Sequence, residues 1–255
     1  MSGIRLLLHQ SHYERLVFWR NPAAVFFTVL LPLLFLFIFA TIFGNEQIEE
    51  RGVKATTYYV PAIISLAVIS AATQSLAINL TQDRERGLLK RIRGTPLPAA
   101  VFVAGRVGNY LIISVLMVVL VAVIGKLVYG VSLPDQTIPA VLVTLAVGAA
   151  CFCCLGFALT AAIPSEDSAP PIALAILLPL YFISGVFIPD SEIPAGVLQV
   201  ADFFPVRHFF EAFFTAWDPN TEGSGFEFGH LAIVVGWGLA GLVVALRFFR
   251  WEPRR

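Results

Sequence analysis

Six apolar stretches, each about as long as a bilayer is thick, set the strongest limit on how this chain can fold. A helix needs about 20 mainly apolar residues to cross roughly 30 Å of hydrocarbon. None of the six contains an aspartate or a glutamate. They are residues 23–43, 58–80, 107–129, 139–163, 172–188 and 231–249. The pattern predicts an all-α polytopic membrane protein with six transmembrane helices in a single domain, residues 1–255.

The overall composition agrees with that prediction and narrows the classes of partner. Of the 255 residues, 58% are hydrophobic and 13% are charged, well outside the range of soluble domains. Lys plus Arg and Asp plus Glu number 17 each, so no basic excess points to nucleic acid. The three cysteines lie together at 151–154 and the four histidines are scattered, without the spacing of a zinc site. Neither a metal nor a nucleic acid is expected.

The distribution of basic residues predicts an orientation, because positively charged loops are retained in the cytoplasm. With the amino terminus inside, thirteen of the seventeen basic residues are cytoplasmic, and only Arg51, Lys54, Lys126 and Arg207 lie outside. Both termini are then cytoplasmic. The turn at residues 164–169 must also lie inside, although it carries only acidic side chains.

Two segments outside the six stretches are amphipathic. Residues 1–20 mix apolar side chains with arginines and end in Asn21-Pro22, which predicts an interfacial helix followed by an elbow. The alternative is a disordered cytosolic tail. Residues 189–230 contain four phenylalanines and Trp217 at helical spacing, which predicts short helices that re-enter the outer leaflet. The alternative there is a cap that lies flat on the membrane.

Small and polar side chains within the stretches have structural and functional interpretations. Ser70, Thr73 and Gln74 share one helix face, so they could line a substrate path or form hydrogen bonds between helices. Small residues at 232, 236 and 240 repeat every four positions in the last stretch. This repeat predicts close packing of that helix on a neighbour.

The charged loop at residues 81–99, TQDRERGLLKRIRGTPLPA, is the most informative polar segment. Its charges at 83–86 would extend the second helix, leucines 88 and 89 would give it an apolar edge, and the Gly94-Thr95-Pro96 break would end it. Such a loop could bind a partner. It could also be a topology signal that binds anionic lipid headgroups.

Four motifs in this sequence resemble the ABC type-2 transporter permease family, and in particular its multidrug and antibiotic exporters. The charged loop reads ERG at 85–87 and TPL at 95–97, and the fifth stretch ends in FISGVFIP at 182–189. FPVRH at 204–208 is followed by an acidic residue at 211, and RNP at 20–22 precedes the first stretch. The resemblance covers essentially the whole chain, in order.

The resemblance implies a permease subunit in a bacterial inner (plasma) membrane that pairs with a second copy or a paralogue and with cytosolic ATPase subunits. The charged loop would couple the two kinds of subunit. The residues expected to contact the ATPase are Arg84, Glu85, Arg86, Gly87, Leu88, Leu89 and Arg91. The residues expected to form an outer gate are Gly185, Pro189, Pro205, His208 and Glu211.

The chain has no GxxxxGK[ST] motif with which to cradle phosphates, so it is not expected to be an enzyme. ATP and Mg would bind the partner, and no cofactor is expected on this chain. The first substrate hypothesis is a drug-like or lipid-like amphiphile. The alternatives are a polysaccharide or glycolipid exporter, or an ion-coupled secondary transporter, which would favour carboxylates within the membrane.

Overall fold

The computed structural model describes residues 16, 18–20, 22–44, 46–49, 51–95, 98–249 and 251–252, and most of them are helical. The helices are α1 (Pro22–Val25, a π-helical segment Phe26–Leu30, and Leu31–Phe43), α2 (Ala55–Ile69, a π-helical segment Ser70–Ser75, and Leu76–Glu85), α3 (Leu88–Arg93), α4 (Ala99–Tyr129), α5 (Ile138–Ala162), α6 (Ala169–Ile183), α7 (Ala195–Ala201), α8 (Pro205–Trp217) and α9 (Phe228–Phe248). Strands β1 (Gln47–Ile48) and β2 (Val53–Lys54) form an antiparallel hairpin.

The apolar helices agree with the predicted class. Within the described residues, four are long and apolar enough to cross a membrane: Ala55–Glu85, Val101–Tyr129, Ile138–Ala162 and Phe228–Phe248. Thr28–Phe43 and Ala169–Ile183 are shorter apolar helices at the first and fifth predicted stretches. The prediction of a mostly helical, multi-pass membrane protein is confirmed.

Some helix bounds differ from the prediction. The fifth stretch was expected over 172–188, but α6 begins at Ala169 and ends at Ile183. The chain turns there because Gly185 has a φ of +82°, a left-handed conformation that favours glycine. Helix α2 extends past the apolar stretch to Glu85, so the charges at 83–85 continue the second helix as predicted. The predicted interfacial helix lies outside the described residues except for positions 16 and 18–20, as do positions 96 and 97 of the loop motif.

Helix α2 forms the centre of the protein and is almost completely buried. Helices α1, α4, α5 and α8 pack around it. The most extensive contact elsewhere is between α5 and α9. A Cβ at Gly238 would lie 3.2 Å from the Cα of Cys151, so glycine permits this close approach. The prediction that the small residues at 232, 236 and 240 pack on a neighbour is wrong within this chain, because those positions face outward.

Helix α8 is surrounded by protein. It contacts α2, α5 and α9, and its phenylalanines and Trp217 are at most 2% exposed. Gly148 of α5 makes room for it, because a Cβ there would lie 2.1 Å from the ring of Phe209. The short helices predicted between 189 and 230 are therefore present as α7 and α8, with the aromatic stripe of α8 in the core.

The loops divide between the two ends of the helical bundle. The hairpin end contains the β1–β2 hairpin and residues 184–227, which ion pairs of Arg51 connect. The cationic end contains residues 81–95 and the turn between α5 and α6, which Arg86 connects through a 2.6 Å ion pair with Glu166. This placement agrees with the predicted topology, in which the acidic turn and the charged loop share one side.

The two π-helical segments lie against each other inside the bundle. The hydroxyl oxygens of Thr28 and Ser75 are 2.8 Å apart in a buried hydrogen bond. A π-helical segment widens a helix locally and is often found at functional positions. The contact joins the first third of α1 to the second half of α2.

Candidate functional site

The charged segment, residues 83–93, continues directly from the central helix. Helix α2 ends at Glu85, and Gly87 turns the chain with a φ of +70°. The short helix α3 then places Leu89 in the core, where it is 0% exposed, and leaves Leu88 half-buried. The apolar side chains therefore hold α3 against the bundle, and its basic side chains face away.

Arg84 points into the protein and is 2% exposed. Its guanidinium donates hydrogen bonds to the carbonyl oxygens of Thr160 at 3.0 Å, Ile163 at 2.9 Å and Pro164 at 3.3 Å. The last carbonyls of a helix have no partner within it and carry partial negative charge. Arg84 therefore caps the carboxyl-terminal end of α5 and fixes the charged segment to that helix.

Two further ion pairs hold the charged segment in place. Asp83 accepts a hydrogen bond from the guanidinium of Arg106 on α4. Arg86 donates to Glu166 in the turn between α5 and α6, at 2.6 Å. The segment is thus connected to α4, to α5 and to the turn before α6, so a displacement of the segment would be transmitted to all three.

The remaining basic residues of the segment are exposed. Lys90, Arg91 and Arg93 have no ion-pair partner among the residues that the structure describes, and the side chain of Arg86 is 65% exposed despite its ion pair. Of the predicted contact residues, Arg86 and Arg91 are at the surface, whereas Glu85, Gly87 and Leu88 are partly exposed. Arg84 and Leu89 are inside the protein.

A network of ion pairs closes the hairpin end. Arg51 donates two hydrogen bonds to the carboxylate of Glu211, at 2.8 and 2.9 Å, and one to Asp190 at 3.2 Å. Arg207 donates two hydrogen bonds to Asp190, at 2.7 and 2.9 Å, and one to Asp202 at 2.7 Å. The network joins the hairpin, the turn after α6 and helix α8.

The predicted gate residues surround this network. Gly185 lies beside it, because a Cβ there would be 3.0 Å from a carboxylate oxygen of Asp190, and its carbonyl accepts a hydrogen bond from Tyr58. Pro189 precedes the 3₁₀ turn at Asp190–Glu192, and Pro205 begins α8. Glu211 is a direct member of the network. The sequence motifs did not indicate that Arg51 and Asp190 take part.

Electrostatics favour the charged forms in this network. Burial raises the pKa of Asp190. The hydrogen bonds and charge of Arg207, followed by those of Arg51, lower that pKa by more than burial raises it, so the net shift is downward. Burial lowers the pKa of Arg51, and the contact with Glu211 and the charge of Asp190 raise it above its ordinary value. Both shifts favour the charged forms of Asp190 and Arg51 at neutral pH.

His208 contacts a second histidine behind the network. Its Nδ1 is 2.8 Å from Nδ1 of His230, and its Nε2 is 2.7 Å from the backbone oxygen of Asp202. Within the described residues, no group of three or more His, Cys, Asp or Glu side chains could hold a metal ion. The histidine pair therefore connects α8 to α9 by hydrogen bonding.

The predicted polar path lies within the π-helical segment of α2. Ser70, Thr73 and Gln74 are at most 6% exposed. Thr73 donates a hydrogen bond to the carbonyl oxygen of Phe152 on α5 at 3.1 Å, and Ser70 donates to Gln74 at 3.3 Å. The Thr73 contact favours interhelical hydrogen bonding in this conformation, whereas the Ser70 contact lies within α2. A role in a substrate path stays a prediction.

Comparison with known proteins gives a consistent result. Residues 7–216 match the family model for the ABC-2 type transporter. YvfS of Bacillus subtilis (strain 168), whose name describes a transport permease, is 23% identical over 87% of this chain and 88% of its own length. Ycf38 of Porphyra purpurea, also named as a transport permease, is 25% identical over 91% of this chain and 79% of its own length.

A third relative carries a more specific name. The daunorubicin resistance ABC transporter permease protein DrrB1 of Streptomyces coeruleorubidus is 26% identical over 76% of this chain and 68% of its own length. The family match over residues 7–216 includes the charged segment and the residues of the hairpin-end network. This chain belongs to the ABC-2 type transporter family and is a membrane subunit of an ABC transporter.

Proposed function

We propose that this chain is the permease half of an ATP-driven exporter that moves an amphipathic, drug-like or lipid-like molecule out of a bacterial cell. Two permease chains, identical or paralogous, would form the path, and two cytosolic ATPase subunits would drive it. The drug-resistance name of the relative DrrB1 supports a drug-like cargo. The exposed basic residues on a firmly anchored charged segment are the observation that carries the proposal.

The charged segment fits the role of a docking element for the ATPase. Arg86, Lys90, Arg91 and Arg93 present four positive charges at one end of the bundle. An acidic groove on the partner would complement them, and Leu88 would supply an apolar contact. Arg84 would act from behind this surface as a positioning residue, because its side chain is bound to the end of α5.

A single helix connects the two ends. Helix α2 runs from Ala55 beside the hairpin to Glu85 at the charged segment and is almost completely buried between its neighbours. Near its hairpin end, Tyr58 donates to the carbonyl of Gly185. A displacement of the charged segment by the ATPase would therefore reach the turn after α6, where the predicted gate residues Gly185 and Pro189 lie.

The hairpin end would face the outside of the cell, in the orientation that the basic residues predict, with six spans and both termini cytoplasmic. Helix α8 would re-enter the outer leaflet. The irregular backbone at the ends of a re-entrant helix is tolerated within a membrane only where protein buries it, and protein covers α8 on all sides. The network of Arg51, Asp190, Arg207 and Glu211 would hold this end closed between transport cycles.

The test is to purify the tagged chain in mild detergent from its native membrane. We expect a stoichiometric companion with a phosphate-binding GxxxxGK[ST] motif, and ATP hydrolysis in the purified material. Inside-out vesicles should then accumulate substrate when ATP is added. A chain that purifies alone, with transport that follows a proton gradient, would support an ion-coupled transporter and contradict the proposal.

A variant tests the docking element directly. Glu85→Ala with Arg86→Ala removes one charge of each sign from the charged segment, so we expect the ATPase to be lost from the purified material while membrane insertion is kept. Glu222→Ala with Lys126→Ala is the matched control, because both residues are exposed and lie outside the charged segment. Undiminished co-purification of the ATPase with the first variant would refute this docking assignment.

A further inference from the structure

A cavity of about 840 Å³ opens at the hairpin end, beside the ion-pair network. The end of α1, the first turn of α2 and the β1–β2 hairpin form one side, and the turn after α6 forms the other. The volume falls within the range of small-molecule sites. None of the gate residues except Pro189 lines it.

Aromatic rings form the inner wall of the cavity. Phe39 stacks on Tyr59 with ring centroids 4.8 Å apart and an angle of 11°, and the ring of Phe187 is 5.7 Å from that of Phe39. Phe182 extends the wall, 5.1 Å from Phe187, and is 45% exposed. A flat apolar or aromatic body would pack on this wall, and the exposed face of Phe182 is available to a cation.

Carboxylates form the rim, and none of the described residues that line the cavity is basic. Glu46, Glu49 and Glu192 are exposed, and their carboxylates form no ion pair with any residue that the structure describes. The basic side chain nearest in sequence, Arg51, points to the ion-pair network instead. Three carboxylates without an ion pair to any described residue, at the mouth of an aromatic cavity, favour a ligand with a net positive charge.

We propose that this cavity is an exit-side binding site for organic cations that carry an apolar or aromatic body. The proposal rests on the proposed function and narrows its substrate class. The body packs on the wall of Phe39, Tyr59 and Phe187, and the cationic group lies between Phe182 and the carboxylate rim. A zwitterionic lipid is disfavoured, because its phosphate would meet the same three carboxylates.

Binding of tetraphenylphosphonium to the purified chain in neutral detergent tests the proposal, with tetraphenylborate as a probe of the same shape and opposite charge. Equilibrium dialysis should show saturable binding of the cation and none of the anion. Replacing the rim by E46Q, E49Q and E192Q together should weaken cation binding about tenfold, and Phe182→Ala should weaken it about threefold. Glu222→Gln, an exposed carboxylate outside the cavity, should leave binding unchanged.

Equal affinity for both probes, or cation binding that neither variant weakens, would overturn the proposal. Glu49→Gln alone keeps the test valid if the triple variant unfolds, because its side chain is exposed and has no described partner. Association with the ATPase is measured on the same samples. If the chain associates with the ATPase but does not bind the cation, only this site is refuted. If the chain binds the cation selectively but never associates with an ATPase, the site is supported and the proposed function is refuted.

Discussion

The two ends of the bundle differ in how much of their arginine charge is compensated within the chain. At the hairpin end, Arg51 and Arg207 pair with carboxylates from three separate parts of the chain, so each positive charge is compensated inside the network. At the cationic end, Arg84 binds backbone carbonyls and Glu85, and Arg86 pairs with Glu166, but Arg91 remains exposed without a described partner. The first arrangement closes a surface within one chain, and the second leaves charge available to another chain.

The contrast separates residues that hold the fold from residues that can serve a partner. A compensated, partly buried ion pair stabilises the fold mainly when both members are present, because a lone buried charge is costly. An exposed charge contributes little to folding and can be changed without loss of structure. Variants at the two ends should therefore differ in their effect on the stability of the isolated chain.

The largest loss of stability is expected for Arg84→Met. The change removes the donor for carbonyl oxygens at the end of α5 and leaves them buried without a partner. We expect the free energy of unfolding to fall by about 3 kcal/mol. The thermal unfolding midpoint in detergent measures it. Arg93→Met serves as the control, since that side chain is exposed, and an equal effect of both variants would contradict a capping role for Arg84.

A smaller loss is expected for Glu211→Gln at the hairpin end. It removes the carboxylate that accepts two hydrogen bonds from Arg51, at a cost of about 2 kcal/mol. The loss for Arg51→Met combined with Glu211→Gln should be smaller than the sum of the losses for the two single variants, because each single change already removes the shared contact. If the loss in the free energy of unfolding for the double variant equals the sum of the losses for the two single variants, the two residues do not interact.

Acid should weaken the hairpin end through Asp190. The pKa of this carboxylate is lowered in the folded chain from an ordinary value of 3.8. Its stabilisation is therefore fully present above pH 3.8 and is lost as the pH falls through the lower, folded-state value. The difference in unfolding midpoint between the wild-type chain and Asp190→Asn should shrink below pH 3.8. A difference that stays constant down to about pH 2 would argue against this linkage.

The smallest effect on stability is expected at the exposed cationic surface. Reversing Lys90, Arg91 and Arg93 to glutamate should change the free energy of unfolding by less than about 1 kcal/mol, because the side chains have no described ion-pair partner. Under the proposed function, the same variant should lose its ATPase. Retained association, measured by co-purification, would show that the cationic end does not serve that partner.

The sequence pattern was sufficient for features that depend on local periodicity. The apolar stretches became helices, and the phenylalanines of 209–214 became the buried face of α8, because burial follows from the spacing of apolar side chains along a helix. The motif residues Gly185, Pro189, Pro205, His208 and Glu211 also came together, since the turn after α6 and the start of α8 meet at the hairpin end.

Contacts between distant residues were not predictable from the sequence. Arg84 binds carbonyls about 80 positions away, and Arg51 binds Glu211 across 160 positions, and neither pairing leaves a local pattern. The small residues at 232, 236 and 240 were assigned to a packed face, but the neighbouring face with Gly238 and Gly241 packs on α5 instead. Both faces carry small residues, so spacing alone did not distinguish them.

The π-helical segment of α2 has a consequence at the level of the gene. Because a π-helical segment is an α-helix with one extra residue, removal of a single codon within 70–75 would restore a regular α-helix. Tyr58 and Arg84 would keep their present directions. Loss of a codon elsewhere in α2 would rotate one half of the helix by about 100° relative to the other. Single-codon insertions and deletions that survive in this helix should therefore concentrate at residues 70–75.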